Sequence, residues 1–155
     1  MEHSLEFLGC TIRNLSEDDF RKGFNELMTV LDTEAQLDEE GFIEYCSNIR
    51  KMPDEYMHIV AEETLSGRIV ASASVMIERK YLRTGGKVGH LEDLIVNPSF
   101  RKQGLGKKIL DILITRAREK GCYKVIISAV HDSSEYFEKN GFKKKGLNMK
   151  ILLTQ

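Results

Sequence analysis

Apolar positions recur along the chain in two rhythms. After a short strand-like stretch at 11–15, Phe20, Phe24, Leu27 and Leu31 return at helical spacing behind Ser16 and Asp19, an N-cap pair. A second helical stripe, Phe42, Tyr45, Cys46 and Ile49, starts near Asp38 and closes before Pro53. The period then shortens. Residues 56–62 and 68–78 read as strands, the second rich in Val, Ile, Ala and Ser. The turn at Thr64, Ser66 and Gly67 joins them into a hairpin. Gly85-Gly86 marks a loop, 88–96 a further strand, and Asn97-Pro98 its end. From 104 to 120, Leu105, Ile109, Ile112, Leu113 and Ala117 share one face of a long helix, with Gly121 suited to a left-handed C-terminal cap. Residues 124–130 read as a buried-type strand, 133–140 as a short helix closed by Gly141, and 147–153 as a last strand. Strand, Gly-rich turn, helix and strand in succession predict a right-handed β-α-β crossover and a parallel strand pair.

Composition narrows the class. A chain of 155 residues with 41% hydrophobic content is the size of one domain with a real core, expected to span 1–155 without repeat or linker. Lys+Arg 23 against Asp+Glu 24 leaves a formal net charge of −1, which argues against a nucleic-acid or membrane-surface partner. No apolar run approaches the ~18 residues of a membrane span. The opening residues MEHSLEFLGC lack the basic and apolar regions of a secretory signal. Cys10, Cys46 and Cys122 form no CxxC pair and predict free thiols in a reducing, cytoplasmic compartment. His3, His58, His90 and His131 are scattered, and no metal site is expected.

Chemistry concentrates at 92–107. In Val96-Asn97-Pro98-Ser99-Phe100-Arg101-Lys102-Gln103-Gly104-Leu105-Gly106-Lys107 a strand ends, two glycines follow and the long helix begins. The first amides of a helix have no internal partners, and its dipole favours an anion there. Arg101, Lys102 and Lys107 add positive charge. The spacing fits neither a Walker loop nor GxGxxG, so the pattern predicts a pyrophosphate cradle of another kind. Just upstream, Glu92-Asp93 interrupts an apolar strand. Neighbours in a regular strand face opposite ways, and an unpaired buried carboxylate is costly. The pair therefore predicts either a salt bridge to Arg79, Lys80 or Lys87, or a bulge or cleft where a carboxylate meets substrate.

Arg101, Gly104 and Gly106 match the acetyl-CoA loop of the GNAT superfamily, Arg/Gln-x-x-Gly-x-Gly/Ala, position for position. Tyr136-Phe137-Glu138-Lys139-Asn140-Gly141-Phe142 resembles the Phe-Tyr-Glu-Lys-x-Gly-Phe segment of many such domains. A narrower resemblance, to the glucosamine 6-phosphate N-acetyltransferases, rests on Ile77-Glu78-Arg79-Lys80, Gly89-His90-Leu91-Glu92-Asp93-Leu94-Ile95-Val96, Gly104-Leu105-Gly106-Lys107 and Gly121-Cys122-Tyr123-Lys124. By element order it extends over roughly the whole domain.

The resemblance implies an α/β (α+β) GNAT fold: a central mixed, mostly antiparallel twisted sheet with a parallel β-α-β acetyl-CoA-binding unit and flanking helices. It implies acetyl-CoA as co-substrate, no metal, and direct transfer in a ternary complex to the amine of an amino-sugar phosphate, glucosamine 6-phosphate, on the route to UDP-N-acetylglucosamine. It also implies a homodimer whose two chains share the sugar-phosphate pocket. Pantetheine would pair with Asp93, Leu94, Ile95 and Val96. The diphosphate would be held by Arg101, Lys102, Gln103, Gly104, Leu105, Gly106 and Lys107, with Ser133 and Phe137 also lining the CoA site. Glu78, Lys80, Glu92, Asp93 and Ser128 would bind the acceptor. Glu92, Asp93 and Tyr136 are the catalytic candidates.

Four positions depart from the family pattern. Phe137 stands where the family carries the tyrosine that protonates the leaving thiolate, with Tyr136 one place earlier. Ser128 replaces an aspartate, Ser133 an asparagine, and Leu152 a basic residue. Tyr136, water or His131 remain as proton donors. An acetyltransferase for another small amine or a protein amine, and a non-catalytic acetyl-CoA-binding module, are the alternative functions.

Overall fold

Six strands form one sheet in sequential order: β1 (Leu5–Phe7), β2 (Cys10–Asn14), β3 (Tyr56–Glu63), β4 (Ile69–Arg79), β5 (Lys87–Val96) and β6 (Cys122–Ile127). Neighbours are antiparallel up to β5, and β5 pairs β6 in parallel. The helices are α1 (Phe24–Met28), α2 (Glu39–Arg50), the single irregular turn α3 (Leu82–Gly85), α4 (Leu105–Glu119) and α5 (His131–Lys139). The structure, a computed structural model, describes residues 4–33, 36–129 and 131–153.

The helical stripes seen in the sequence bury against the sheet in two clusters. Phe24, Leu27, Phe42 and Cys46 of α1 and α2 pack on Leu15, Val60, Ile69 and Ile95. Leu105, Ile109, Leu110, Leu113 and Ala117 of α4 pack with Ile12, Val75 and Leu91, and Phe137 of α5 joins them. Asp38 caps α2 by accepting from the Gly41 amide at 2.8 Å. Gly121, at φ 82°, ends α4 in the left-handed region, as the sequence predicts.

Three local expectations are corrected. The first helical stripe is not one helix: a 3-10 turn at Glu17–Phe20 is separated from α1 by Gly23, which at φ 86° breaks the helical path. The strand read at 124–130 begins at Cys122 and ends at Ile127. It lies at the sheet edge and is not of buried type, with Tyr123 44% and Ile126 39% exposed. Residue 130 lies outside the described residues. The last strand, read at 147–153, is not formed. Leu147, Met149, Ile151 and Leu153 are left exposed, because this tail pairs with no strand of its own chain.

Candidate active site

β5 does not keep its partners to the end. Between the pairs Ser72–Ile95 and Ser74–Glu92, Asp93 and Leu94 stand opposite the single Ala73, which makes a bulge. Asp93 sits there at φ 53°, a conformation that aspartate tolerates better than most side chains. On the other side, the parallel pairing with β6 stops at Leu91 and Ile127. Residues 92–96 run on with no β6 partner, so that backbone edge faces an open slot.

The slot leads to the start of α4. Lys102 at φ 62° and Gly104 at φ 90° turn the chain, and no side chain caps the helix. Its first internal bond runs from the Lys108 amide to the Gly104 carbonyl at 3.0 Å, so the amides before it are available to an anion. The Arg101 Nε donates to the Val96 carbonyl oxygen at 2.9 Å and ties the loop to the strand end. Lys102, Gln103 and Lys107 are exposed, whereas Leu105 is buried in the core. The Lys107 Nζ is paired with Asp111 at 2.6 Å.

Glu92 and Asp93 are both exposed, and neither is in an ion pair among the described residues. The salt-bridge reading is not realised. Arg79 pairs with Glu55, Lys80 with Glu78 at 2.5 Å, and the Lys87 Nζ donates to the Lys120 carbonyl. Glu78 also meets His90 Nε2 at 2.7 Å, and Lys80 first, then His90, hold its carboxyl below the usual range. Glu78 pairs across from Val88 while Ser74 pairs with Glu92. Glu78 and Lys80 are thus displaced from the bulge by four or more strand residues, roughly 13 Å. Within one chain they do not converge with Glu92 and Asp93.

Ser128 is exposed and immediately follows the last paired residue of β6, at the mouth of the slot. Ser133 is half-buried in α5. Phe137 packs in the core, its ring 5.7 Å from that of Phe142. Tyr136 turns its hydroxyl to Gly106, on the first turn of α4, and burial raises its pKa. The His131 side chain lies outside the described residues. Lys144 of the basic run at 143–145 pairs with Glu138 at 3.2 Å on the surface.

A second feature escapes sequence reading. Beneath α1 and α2 a cavity of about 350 Å³ opens beside the bulge, with Asp93, Tyr45, Tyr56 and His58 in its lining. The Tyr45 hydroxyl contacts His58 Nδ1 at 2.8 Å and the Tyr56 hydroxyl at 3.2 Å. His58 Nε2 contacts Ser72 Oγ at 2.7 Å, and the Tyr56 hydroxyl donates to Ser74 Oγ at 3.2 Å. Burial pushes the His58 pKa down to about 4, so the ring is neutral at pH 7. Tyr56 and His58, two apart on a strand and so on one face, are the signal that the sequence carries; Tyr45 falls within the apolar stripe of α2.

Comparison with known proteins agrees with this architecture. The profile of the Acetyltransferase (GNAT) family matches residues 11–142. Glucosamine 6-phosphate N-acetyltransferase 1 of Dictyostelium discoideum is 39% identical over 145 residues, covering 94% of this chain and 92% of that protein. Glucosamine 6-phosphate N-acetyltransferase of Arabidopsis thaliana is 41% identical over 138 residues, covering 89% of this chain and 93% of that protein. The crystal structure of the Arabidopsis thaliana enzyme superposes with a TM-score of 0.89 at 39% identity, over 94% of this chain and 99% of that one. By this match over most of its length and by the agreement in fold, the chain belongs to the GNAT acetyltransferase family, among its glucosamine 6-phosphate N-acetyltransferases.

Proposed function

We propose that this protein transfers the acetyl group of acetyl-CoA to the amine of glucosamine 6-phosphate, giving N-acetylglucosamine 6-phosphate and CoA. The observation that carries the reading is the continuous path from the unpaired edge of β5 to the uncapped amides of α4. An extended chain of amides can add to that edge as a strand would, and a diphosphate suits the helix start. GNAT acetyltransferases use acetyl-CoA, and the relatives named above act on glucosamine 6-phosphate.

The chain's own part in the reaction is positioning and electrostatics. The amides at Leu105 and Gly106, with Arg101 and Lys102 beside them, hold the diphosphate. The backbone of residues 93–96 aligns the pantetheine arm, and the Leu94 amide at the bulge faces the developing oxyanion. Asp93 and Glu92, in no ion pair among the described residues, hold the acceptor ammonium and receive its proton through water, so that a neutral nitrogen attacks. As the carbon–nitrogen bond forms and the carbon–sulfur bond breaks, the thiolate takes a proton from water. Tyr136 serves as a wall of the diphosphate cradle, since its hydroxyl lies at Gly106 and not at the bulge.

The acceptor's phosphate needs cations that the bulge does not supply. Ser128 stands at the mouth of the slot, but Glu78 and Lys80 reach the same sugar only if two copies of the chain share it. The exposed tail, with Leu147, Met149, Ile151 and Leu153 alternating as in a strand, supports such a homodimer, as does the open edge of β6. We place the protein in the cytoplasm on the strength of its free thiols, Cys10 and Cys46 buried and Cys122 half-buried.

The test is free-thiol release from acetyl-CoA by the purified protein with glucosamine 6-phosphate. Saturable release with formation of the N-acetyl sugar phosphate is expected. Tight binding of acetyl-CoA without turnover of that sugar would overturn the acceptor reading.

A further inference from the structure

The cavity beside the bulge differs in chemistry from what a sugar phosphate requires. Its wall is formed by Phe24, Met28, Leu37 and Phe42. The charged groups among its described lining residues are two carboxylates, Asp32 and Asp93, and neither lysine nor arginine is among them. A phosphate monoester carries close to two negative charges near pH 7. Placed here it would face the Asp93 carboxylate in a lining that holds no lysine or arginine among the described residues.

The polar floor gives the same answer. Four contacts link Tyr45, His58, Ser72, Tyr56 and Ser74. A neutral imidazole has one proton. Tyr56 donates to Ser74, so it accepts from Tyr45, and Tyr45 in turn accepts the Nδ1 proton of His58. Both phenolic protons are thus used inside the network. What Tyr45 and Tyr56 can offer to the cavity is oxygen lone pairs, which accept from an ammonium and repel a phosphate.

We propose that this cavity gives the protein a second acceptor class: an unphosphorylated primary amine with an aromatic or branched aliphatic body. Its nitrogen lies at Asp93, and its body lies between Phe24, Met28, Leu37 and Phe42. The inference rests on the same acetyl-CoA site as the function proposed above and differs from it in the acceptor. The amine loses one proton to water at Asp93, its nitrogen bonds the acetyl carbon, and the carbon–sulfur bond breaks. The thiolate takes a proton from water, and the products are an N-acetyl amine and CoA. The volume of about 350 Å³ lies within the usual range of small-molecule sites.

The experiment measures thiol release from acetyl-CoA with 2-phenylethylamine and, in parallel, with glucosamine 6-phosphate, for the full chain and for Leu37→Lys. Leu37 is 45% exposed at the rim, where a lysine would bring its charge and bulk to the body of the amine. Saturable acetylation of 2-phenylethylamine is expected. In Leu37→Lys the ratio of kcat/KM for 2-phenylethylamine to that for the sugar phosphate should fall by about tenfold or more. Leu31→Lys, at another half-exposed lining position, makes the same test if the first variant does not fold. Turnover of the sugar phosphate alone overturns this inference and leaves the function above intact. Turnover of 2-phenylethylamine alone, lowered in the lysine variant, upholds the inference and overturns the sugar reading. An unchanged ratio, with both acceptors used, puts the amine outside the cavity and overturns the inference. No thiol release with either acceptor overturns both.

Discussion

The Tyr136 hydroxyl lies against Gly106: a methyl group on that α-carbon would stand 3.0 Å from the phenolic oxygen and 3.3 Å from Val96 Cγ2. The second glycine of the loop is therefore required by its neighbours as well as by any ligand. Both contacts belong to the path assigned to acetyl-CoA, so crowding here should be felt as cofactor affinity. Gly106→Ala is expected to raise the KM for acetyl-CoA about tenfold, and Gly106→Ala with Tyr136→Phe to recover part of that loss. Tyr136→Phe alone should leave kcat nearly unchanged. A large fall in kcat would return the proton-donor role to Tyr136.

The two carboxylates at the bulge make a different prediction. Both are exposed and outside any ion pair among the described residues, so Glu92→Gln and Asp93→Asn should shift stability by no more than about 0.5 kcal/mol. Asparagine also tolerates the left-handed backbone at 93. Steady-state kinetics should show kcat/KM for the acceptor falling by about 10²-fold, with the KM for acetyl-CoA little altered. Equal losses for both substrates would mean that the bulge itself had moved.

His58 sets a pH dependence of stability. Its folded pKa of about 4 lies below the ordinary value of 6.5, because burial disfavours the charged ring. Between those two values the unfolded chain binds the extra proton. Stability from this residue is therefore full above pH 6.5 and is lost as pH falls toward 4, on the order of 3 kcal/mol in all. Urea denaturation at pH 7 and pH 4.5 should show the decline, and His58→Gln should flatten it.

Arg13 and Asp19 form the most deeply enclosed ion pair among the described residues. Two contacts of 2.7 and 2.9 Å join them, and Asp19 is fully buried. The Ser16 amide donates to the same carboxylate at 2.8 Å. Arg13→Met strands this buried charge and should cost roughly 3–5 kcal/mol, read as a lower denaturation midpoint. The acetyl-CoA KM of the folded fraction should be unaffected, since the pair lies on the β2 and β3 side of the sheet.

The tail gives a prediction about assembly. A chain ending at Gly146 removes the alternating apolar residues at 147–153 and no element of the six-stranded sheet. Sedimentation should show the full chain as a dimer and the shortened chain as a folded monomer with weakened use of the sugar phosphate. Dimerisation of the shortened chain would put the interface elsewhere.

Local chemistry made much of this protein legible from its residues alone. The amphipathic stripe at 104–120, the run of Val, Ile, Ala and Ser in β4 and the glycines at 104, 106 and 121 specify conformations that depend on near neighbours. The β-α-β order and a helix start with open amides followed from them. What the order of residues did not contain was where pairing stops. The bulge at Asp93 and the end of the β5–β6 ladder at Leu91 and Ile127 arise from the register of three strands at once, so only the assembled sheet opens the slot. The same holds for the cavity, whose floor joins Tyr45 of α2 to Tyr56 and His58 of β3 and to the serines of β4. The tail shows the converse: its pattern is that of a strand, but backbone amides and carbonyls form a strand only when paired with an edge, and the tail pairs with none of the six described strands of its own chain.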